Sequence, residues 1–176
     1  MSLPAIASFW TGGPLSLIER TVIQSYLDWG HELTLFTEGA IDGVPPGAIM
    51  RPAAEIWHDP TIDLVRASRH VIATYSDIFR LKLLQQTDMI WVDTDAYCVR
   101  PFDFATNSVY GLGGNERVCT GVLRLPSPGV VLDAMVDFVE SDCPIQPWRG
   151  RRFRKKQADR KESGDSWRIY DLPWGC

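Results

Sequence analysis

The chain has 176 residues, enough for one domain with a sizeable hydrophobic core. With 45% hydrophobic and 23% charged residues it has the composition of an ordinary globular protein, and the formal net charge of −4 argues against nucleic acid as a partner. No basic and apolar leader opens the sequence, and no apolar run approaches the roughly 20 residues of a membrane span, so we expect a cytoplasmic protein. Its four cysteines are widely spaced and are expected to be free thiols.

The first third of the chain alternates predicted strands and helices. A strand over residues 5–10 runs into Thr-Gly-Gly-Pro, a helix covers 15–29, and a second strand covers 33–36. This order is typical of a βαβ unit, which places a helix against a parallel sheet. Residues 39–60 are rich in Gly and Pro and are expected to be loop, with a brief strand near 48–50.

The remaining apolar patterns continue the α/β arrangement. They predict a helix over 64–86, strands over 89–92, 108–111 and 118–123, and a helix over 130–139. We therefore expect an α/β fold whose mostly parallel or mixed central sheet is flanked by helices. Near the end of the chain, residues 167–170 read as a short strand.

A buried strand runs directly into two carboxylates in the segment MIWVDTDAYCVRPFD. Asp93 and Asp95 could supply the hard oxygen ligands that Mg²⁺ or Mn²⁺ prefers, and such ions also bind substrate phosphates. The carboxyl end of a strand in an open α/β sheet is where nucleotides usually bind. The alternative is a turn in which one of the two carboxylates accepts backbone hydrogen bonds.

Two other short elements contain candidate ligand-binding residues. In YSDIFR, Asp77 and Arg80 are three residues apart and therefore share one helical face, either as a local ion pair or as a pair that holds a polyhydroxylated ligand. Trp10 ends the first strand just before Thr11, and its indole belongs either to the core or to a surface on which a nucleobase stacks.

In this order and spacing, the segments resemble the DXD sugar-binding-region family of glycosyltransferases, a family-32-like group. The resemblance is carried by FWTGGPLSLIERTVIQSYLDWGHELTLFTEG, YSDIFRLKLL and WVDTDAYCVRPFD, and it covers about residues 5–126. It implies the GT-A fold, a Rossmann-like nucleotide-sugar-binding domain, for the single domain over 1–176.

The resemblance also implies how a uridine-diphosphate sugar donor would be held. Trp10 and Thr11 would bind the nucleoside of a UDP-hexose, with the indole stacked on the base. Asp93 would face the ribose and the sugar, and Asp95, together with Asp93, would ligate Mn²⁺ or Mg²⁺ at the diphosphate.

For the chemical step, the resemblance implies transfer of a hexose, with retention of anomeric configuration, to a hydroxyl of a glycan or a lipid-linked acceptor. Asp77 and Arg80 would hold the donor sugar and, with Asp93 and Asp95, form the catalytic set. A role in polysaccharide biosynthesis follows from the same resemblance.

The chain departs from the family pattern at two places. Thr120 stands where family members commonly have Asn, with Asn115 the nearest substitute, and the sequence stops at Trp174–Cys176 where the family continues into a Gly-Pro loop. We therefore expect a domain that is incomplete at its C-terminus. This leaves open an inactive remnant that at most binds nucleotide.

A phosphohydrolase is the other alternative, with Asp93 as nucleophile and Asp95 as general acid. That class normally carries its D-x-D motif at the first strand, and it leaves the YSDIFR helix unexplained.

The segment RGRRFRKKQADRK, residues 149–161, holds eight basic side chains. Such a run is usually a solvated helix or loop. The alternative is a peripheral contact with an anionic membrane surface or a phosphorylated acceptor.

Overall fold

A six-stranded mixed sheet forms the centre of the fold in the computed structural model, which describes residues 3–114 and 117–172. Its strands are β1 (Ile6–Trp10), β2 (Leu33–Thr37), β3 (Ile49–Pro52), β4 (Ile90–Val92), β5 (Val109–Leu112) and β6 (Val118–Arg124). The order across the sheet is β3-β2-β1-β4-β6-β5. The strands β3, β2, β1 and β4 run parallel, whereas β6 is antiparallel to both of its neighbours. The predicted α/β class with a mixed sheet is confirmed.

Helices cover both faces of this sheet. They are α1 (Leu17–Asp28) on one face and α2 (Arg69–Gln86) and α3 (Val130–Glu140) on the other. A fourth helix, α4 (Arg151–Glu162), follows α3 in the chain, and short 3₁₀ turns cover Ala53–Glu55 and Ile169–Asp171. Side chains alternate across a strand, so a central strand such as β4 supplies two hydrophobic clusters. In β4, Ile90 and Val92 pack in the cluster that includes α1, and Trp91 packs in the cluster that includes α2 and α3.

Two predictions are wrong, one about where a helix begins and one about the type of a short element, and each has a local reason. The helix expected over 64–86 begins only at Arg69, because the Ser68 side chain accepts a hydrogen bond from the backbone N–H of Val71 and so caps the first turn. In place of the strand expected over 167–170, a 3₁₀ turn covers Ile169–Asp171. There the Asp171 carboxylate accepts a hydrogen bond from the Arg168 N–H at 2.8 Å and closes the turn.

Most of the basic run predicted as a solvated helix or loop forms α4, and seven of its eight basic side chains are exposed. Across residues 3–114 and 117–172, none of the helices combines the length and the apolar character that crossing a membrane requires. Contact of α4 with a membrane surface stays a prediction.

Candidate functional site

The candidate site lies where β1 and β4 end. These strands are parallel neighbours, with Ile6 opposite Ile90 and Ala7 opposite Trp91, so their carboxyl ends share one edge of the sheet. Trp10 is the last residue of β1, and Asp93 directly follows β4.

Arg80 joins three elements at this edge. Its Nη2 donates to Asp77 Oδ1 at 2.9 Å and to Asp93 Oδ1 at 3.1 Å, while Nη1 donates to the Thr120 carbonyl oxygen at 2.9 Å. The Arg80 side chain is only 7% exposed, whereas those of Asp77 and Asp93 are 28% and 34% exposed. A buried guanidinium therefore fixes two carboxylates that remain accessible to a ligand, and we call Asp77, Arg80 and Asp93 the Arg80 cluster.

Trp91 contributes to this site, although its sequence pattern indicates only a core residue. Its indole Nε1 donates to Asp93 Oδ1 at 2.7 Å. The guanidinium carbon of Arg80 lies 5.1 Å from the centre of the indole ring, within the range of a cation–π contact. Trp91 is 1% exposed, so it contacts both Arg80 and Asp93 from the buried side of their ion pair.

Gly121 on β6 is a second residue that sequence reasoning missed. Its carbonyl oxygen accepts from the Asp93 N–H at 2.7 Å, and a Cβ built on it would lie 3.2 Å from Asp93 Oδ2. The absence of a side chain at this position leaves room for the carboxylate. No motif of the sequence points to it, because the approach depends on antiparallel pairing of β4 with β6.

Asp95 lies in the turn that follows, which is closed by a hydrogen bond from the Ala96 N–H to the Asp93 carbonyl oxygen at 3.0 Å. The Asp95 side chain is exposed, and neither a hydrogen bond nor an ion pair joins it to any described residue. The backbone turn holds its place while its carboxylate is free to turn toward a ligand.

Helix α1 and the residues after it anchor the loop beyond Asp95. The Tyr26 hydroxyl donates to the Ala96 carbonyl oxygen at 2.8 Å, and burial raises the pKa of Tyr26 well above its usual range, so the phenol remains a donor. His31 Nε2 accepts from the Phe102 N–H at 3.0 Å, which leaves Nδ1 to donate to the Pro4 carbonyl oxygen at 2.9 Å. A neutral histidine thus fixes this loop, a role that its isolated place in the sequence did not reveal.

Trp10 and Thr11 lie at the same edge of the sheet, and both are half-buried. The Trp10 indole N–H donates to the Gly13 carbonyl oxygen at 2.9 Å, and the ring packs against the cluster that includes α1. Gly12 and Gly13 have φ values of 92° and 113°, a region that favours glycine. The core and base-stacking interpretations of Trp10 are both compatible with a half-buried ring, so its role stays a prediction.

The departures from the family pattern fall partly within the described residues. Thr120 lies on β6, where its backbone oxygen accepts from Arg80. Asn115 and Trp174–Cys176 lie outside the described residues.

The donor set at this edge suits a cation that binds together with phosphate. Across the described residues, 3–114 and 117–172, no three His, Cys, Asp or Glu side chains form a group that could hold a metal ion. Mg²⁺ and Mn²⁺ sites nevertheless often use one or two carboxylates, with waters and substrate phosphates completing the shell. Asp95 offers one exposed carboxylate, and Asp93 has Oδ2 left after its Oδ1 has accepted two hydrogen bonds. These residues fit an ion shared with a diphosphate.

Comparisons with protein-family models, with curated proteins and with solved structures each find no match for this chain. A functional assignment therefore depends on the chain's own residues and their geometry.

Proposed function

We propose that this chain binds a nucleotide sugar, of the UDP-hexose class, together with Mn²⁺ or Mg²⁺ and transfers the hexose to an acceptor hydroxyl. One observation carries the proposal. At the carboxyl end of β4, a buried guanidinium fixes two half-exposed carboxylates, and a third, unpaired carboxylate follows two residues later in the turn. Fixed charged acceptors and donors suit the hydroxyls of a sugar, and the unpaired carboxylate suits a phosphate-bound cation.

The GT-A assignment belongs to the same proposal. It is supported by the parallel β3-β2-β1-β4 half of the sheet, with its ligand edge at the carboxyl ends of β1 and β4, and by the antiparallel β6 beside β4. Nucleotides commonly bind at such an edge.

In the proposed reaction, the acceptor hydroxyl oxygen forms a new bond to C1 of the hexose. The bond from C1 to the β-phosphate oxygen breaks, and its electron pair leaves with the nucleoside diphosphate. The hydroxyl proton passes to the departing phosphate, so the step needs no protein base, and the direct attack of the acceptor oxygen on C1 needs no protein nucleophile. Attack on the face that the phosphate leaves gives retention, as the family resemblance implies.

The chain's residues have separate tasks in this scheme. Asp77 and Asp93 accept hydrogen bonds from sugar hydroxyls, and Arg80 holds both carboxylates in position from below. Asp95 would hold the cation, and Asp93 Oδ2, which accepts no hydrogen bond from a described residue, is the other carboxylate oxygen that could contribute. When bound, the cation would neutralise charge that develops on the leaving diphosphate.

The test is calorimetric titration of UDP into the purified chain with and without Mn²⁺. We expect Mn²⁺-dependent binding that Asp95→Asn abolishes and that Asp88→Asn preserves, because Asp88 is an exposed aspartate before β4, at its opposite end. A folded chain that binds neither UDP nor GDP in Mn²⁺ would refute the proposal.

Two further readouts separate the alternatives. Mn²⁺-dependent binding without sugar transfer or donor hydrolysis would identify an inactive remnant. Release of phosphate from a simple phosphomonoester, lost in Asp93→Asn, would identify a phosphohydrolase.

A further inference from the structure

An open cavity of about 550 Å³, a size typical of ligand sites, lies apart from the candidate site. It is lined by the segment after β3, by α2, by the end of α3 and by residues 167–170. Its α2 residues are Ile78 and Lys82, which project about 150° around the helix from Asp77 and Arg80. The cavity and the Arg80 cluster therefore lie on different sides of α2.

Two ion pairs form part of the cavity wall. Lys82 Nζ donates to Glu140, and Arg168 Nη2 donates to Asp59. The Lys82 and Asp59 side chains are only 10% and 8% exposed. A charged ligand that took either partner for itself would leave a buried charge unpaired, which is costly.

The other charged groups of the cavity also favour an uncharged ligand. The remaining carboxylate of the lining, Asp142, is exposed, and Lys161 Nζ donates to its backbone carbonyl oxygen at 3.0 Å. The charges around the cavity therefore nearly cancel. A hydroxyl group suits such a wall, because it can donate to the carboxylate and accept from the cation of a pair that stays intact.

Tyr170 brings an unsatisfied polar group to the same cavity. The residue is 9% exposed, and its buried hydroxyl has no hydrogen-bond partner among the described residues. Burial and the nearby Asp59 carboxylate raise the pKa of Tyr170, but the two side chains do not have the geometry of a hydrogen bond. A buried hydroxyl is rarely left unpaired, so its partner has to come from the cavity that Tyr170 lines.

Aromatic rings supply flat apolar surface between these polar groups. Trp57 is half-buried and packs against Tyr75 with 4.8 Å between ring centres. Trp167, which is 7% exposed, lines the cavity as well. Fixed rings beside fixed donors and acceptors match a molecule that has both apolar C–H faces and hydroxyl groups.

We infer that this cavity binds an uncharged polyhydroxylated ring, the chemistry of a small saccharide, at a site separate from the one proposed for sugar transfer. Its hydroxyls would bond to the two intact ion pairs and to the Tyr170 hydroxyl, and its C–H faces would pack against Trp57. The inference does not depend on the proposed function, since neither the Arg80 cluster nor Asp95 lines the cavity.

The experiment is saturation-transfer NMR on the full chain with three probes of different charge. Maltose is the uncharged saccharide, methyl phosphate is the anion and 1,4-diaminobutane is the cation. We expect saturation transfer to maltose, and none to the two charged probes, because the cavity offers no unpaired group of opposite sign to hold them.

Tyr170→Phe tests the assigned site. It should weaken maltose binding about fivefold, the usual effect of one hydrogen bond, without lowering the free energy of unfolding, because the hydroxyl has no partner to lose. Tyr75→Phe is the matched control, since the Tyr75 hydroxyl donates to Glu38 Oε1 at 2.9 Å and Tyr75 does not line the cavity. The control should lose stability in urea denaturation and keep its affinity for maltose.

The absence of saturation transfer to maltose would overturn the inference, and so would equal maltose affinity in the two Phe variants or stronger binding of a charged probe. Asp93→Asn locates the sugar, because maltose affinity should be unchanged in this variant. Its loss would place maltose at the proposed transfer site and overturn the second site. UDP titration in Mn²⁺ on the same samples reports on the proposed function separately, so maltose binding that persists without UDP binding would support the second site alone.

Discussion

Trp91→Phe should separate the positioning of Asp93 from the packing of the core. The substitution removes the indole N–H that donates to Asp93 Oδ1 at 2.7 Å, but it keeps an aromatic ring in a position that is 1% exposed. Arg80 retains its bonds to Asp77 and Thr120. Asp93 then loses one of its two side-chain donors and can turn away from the sugar position.

The expected loss of stability in Trp91→Phe has two contributions. A hydrogen bond to a charged group contributes about 1.5–3 kcal/mol, and the lower end applies here because the Asp93 side chain is 34% exposed and water can replace the lost donor. The smaller ring leaves a cavity that costs about 1–2 kcal/mol, less than full truncation of a core aromatic residue. We expect the free energy of unfolding to fall by about 2.5–3.5 kcal/mol, and UDP affinity in Mn²⁺ to fall about tenfold, or about 1.4 kcal/mol.

Trp167→Phe is a closely matched control. Trp167 is 7% exposed, donates through Nε1 to the Pro144 carbonyl oxygen at 3.0 Å, and has the Arg160 guanidinium carbon 5.1 Å from its ring centre. Urea denaturation should show a similar loss of stability in both variants, and calorimetry should show weakened UDP binding only in Trp91→Phe. If both variants bind UDP equally well, Trp91 has only a packing role and our account of Asp93 is wrong.

Two other predictions test the surroundings of the site. Gly121→Ala places a Cβ 3.2 Å from Asp93 Oδ2 and should weaken Mn²⁺-dependent UDP binding several-fold in calorimetry. Gly111→Ala is the control, because its Cβ would lie 3.4 Å from its nearest neighbour, and it should leave UDP binding unchanged. Equal UDP binding by both variants would show that Asp93 tolerates displacement. Burial opposes ionisation of Asp59, but hydrogen bonds from the neighbouring threonine and from Arg168 outweigh it and hold the pKa of Asp59 below its ordinary value of 3.8. The stabilisation from this lowered pKa is fully present above pH 3.8 and is lost as the pH falls through the lower pKa of the folded state. Between about pH 5 and pH 2, the free energy of unfolding should therefore fall less steeply with decreasing pH in Asp59→Asn than in the unsubstituted chain. Identical pH dependence of the two proteins would contradict this prediction.

Much of the fold can be predicted from the sequence because hydrophobic periodicity and turn residues act locally. The order of strands and helices up to α3 is as the patterns indicate, and helix α1 follows its Ser16 capping box. The errors lie at the start of one helix and in one short segment predicted as a strand. A start of α2 at Arg69 depends on which serine caps it, and the 3₁₀ turn at Ile169–Asp171 depends on one side-chain acceptor.

Part of the candidate site can also be predicted from the sequence, and part of it cannot. The spacing of Asp77 and Arg80 on one helical turn predicts that they are neighbours, and the structure adds Asp93 to them. The contacts that Trp91 and Gly121 make with the Arg80 cluster could not be predicted. They depend on how α2 packs on the sheet and on the pairing of β4 with β6. Both are properties of long-range packing that no short motif encodes.

The two aspartates of the D-x-D element are suited to different tasks because the chain holds them differently. Asp93 Oδ1 accepts hydrogen bonds from a buried indole and a buried guanidinium. These bonds fix the orientation of the carboxylate and already pair it with a positive charge. A carboxylate in that position is a poor principal ligand for a second cation, but it is a precise acceptor for sugar hydroxyls. Asp95 stands on a backbone turn with an exposed side chain, so it can follow a cation that arrives with the diphosphate. Loss of the Asp95 carboxylate should therefore remove the Mn²⁺ dependence of binding, whereas loss of the Asp93 carboxylate should mainly weaken selection of the sugar.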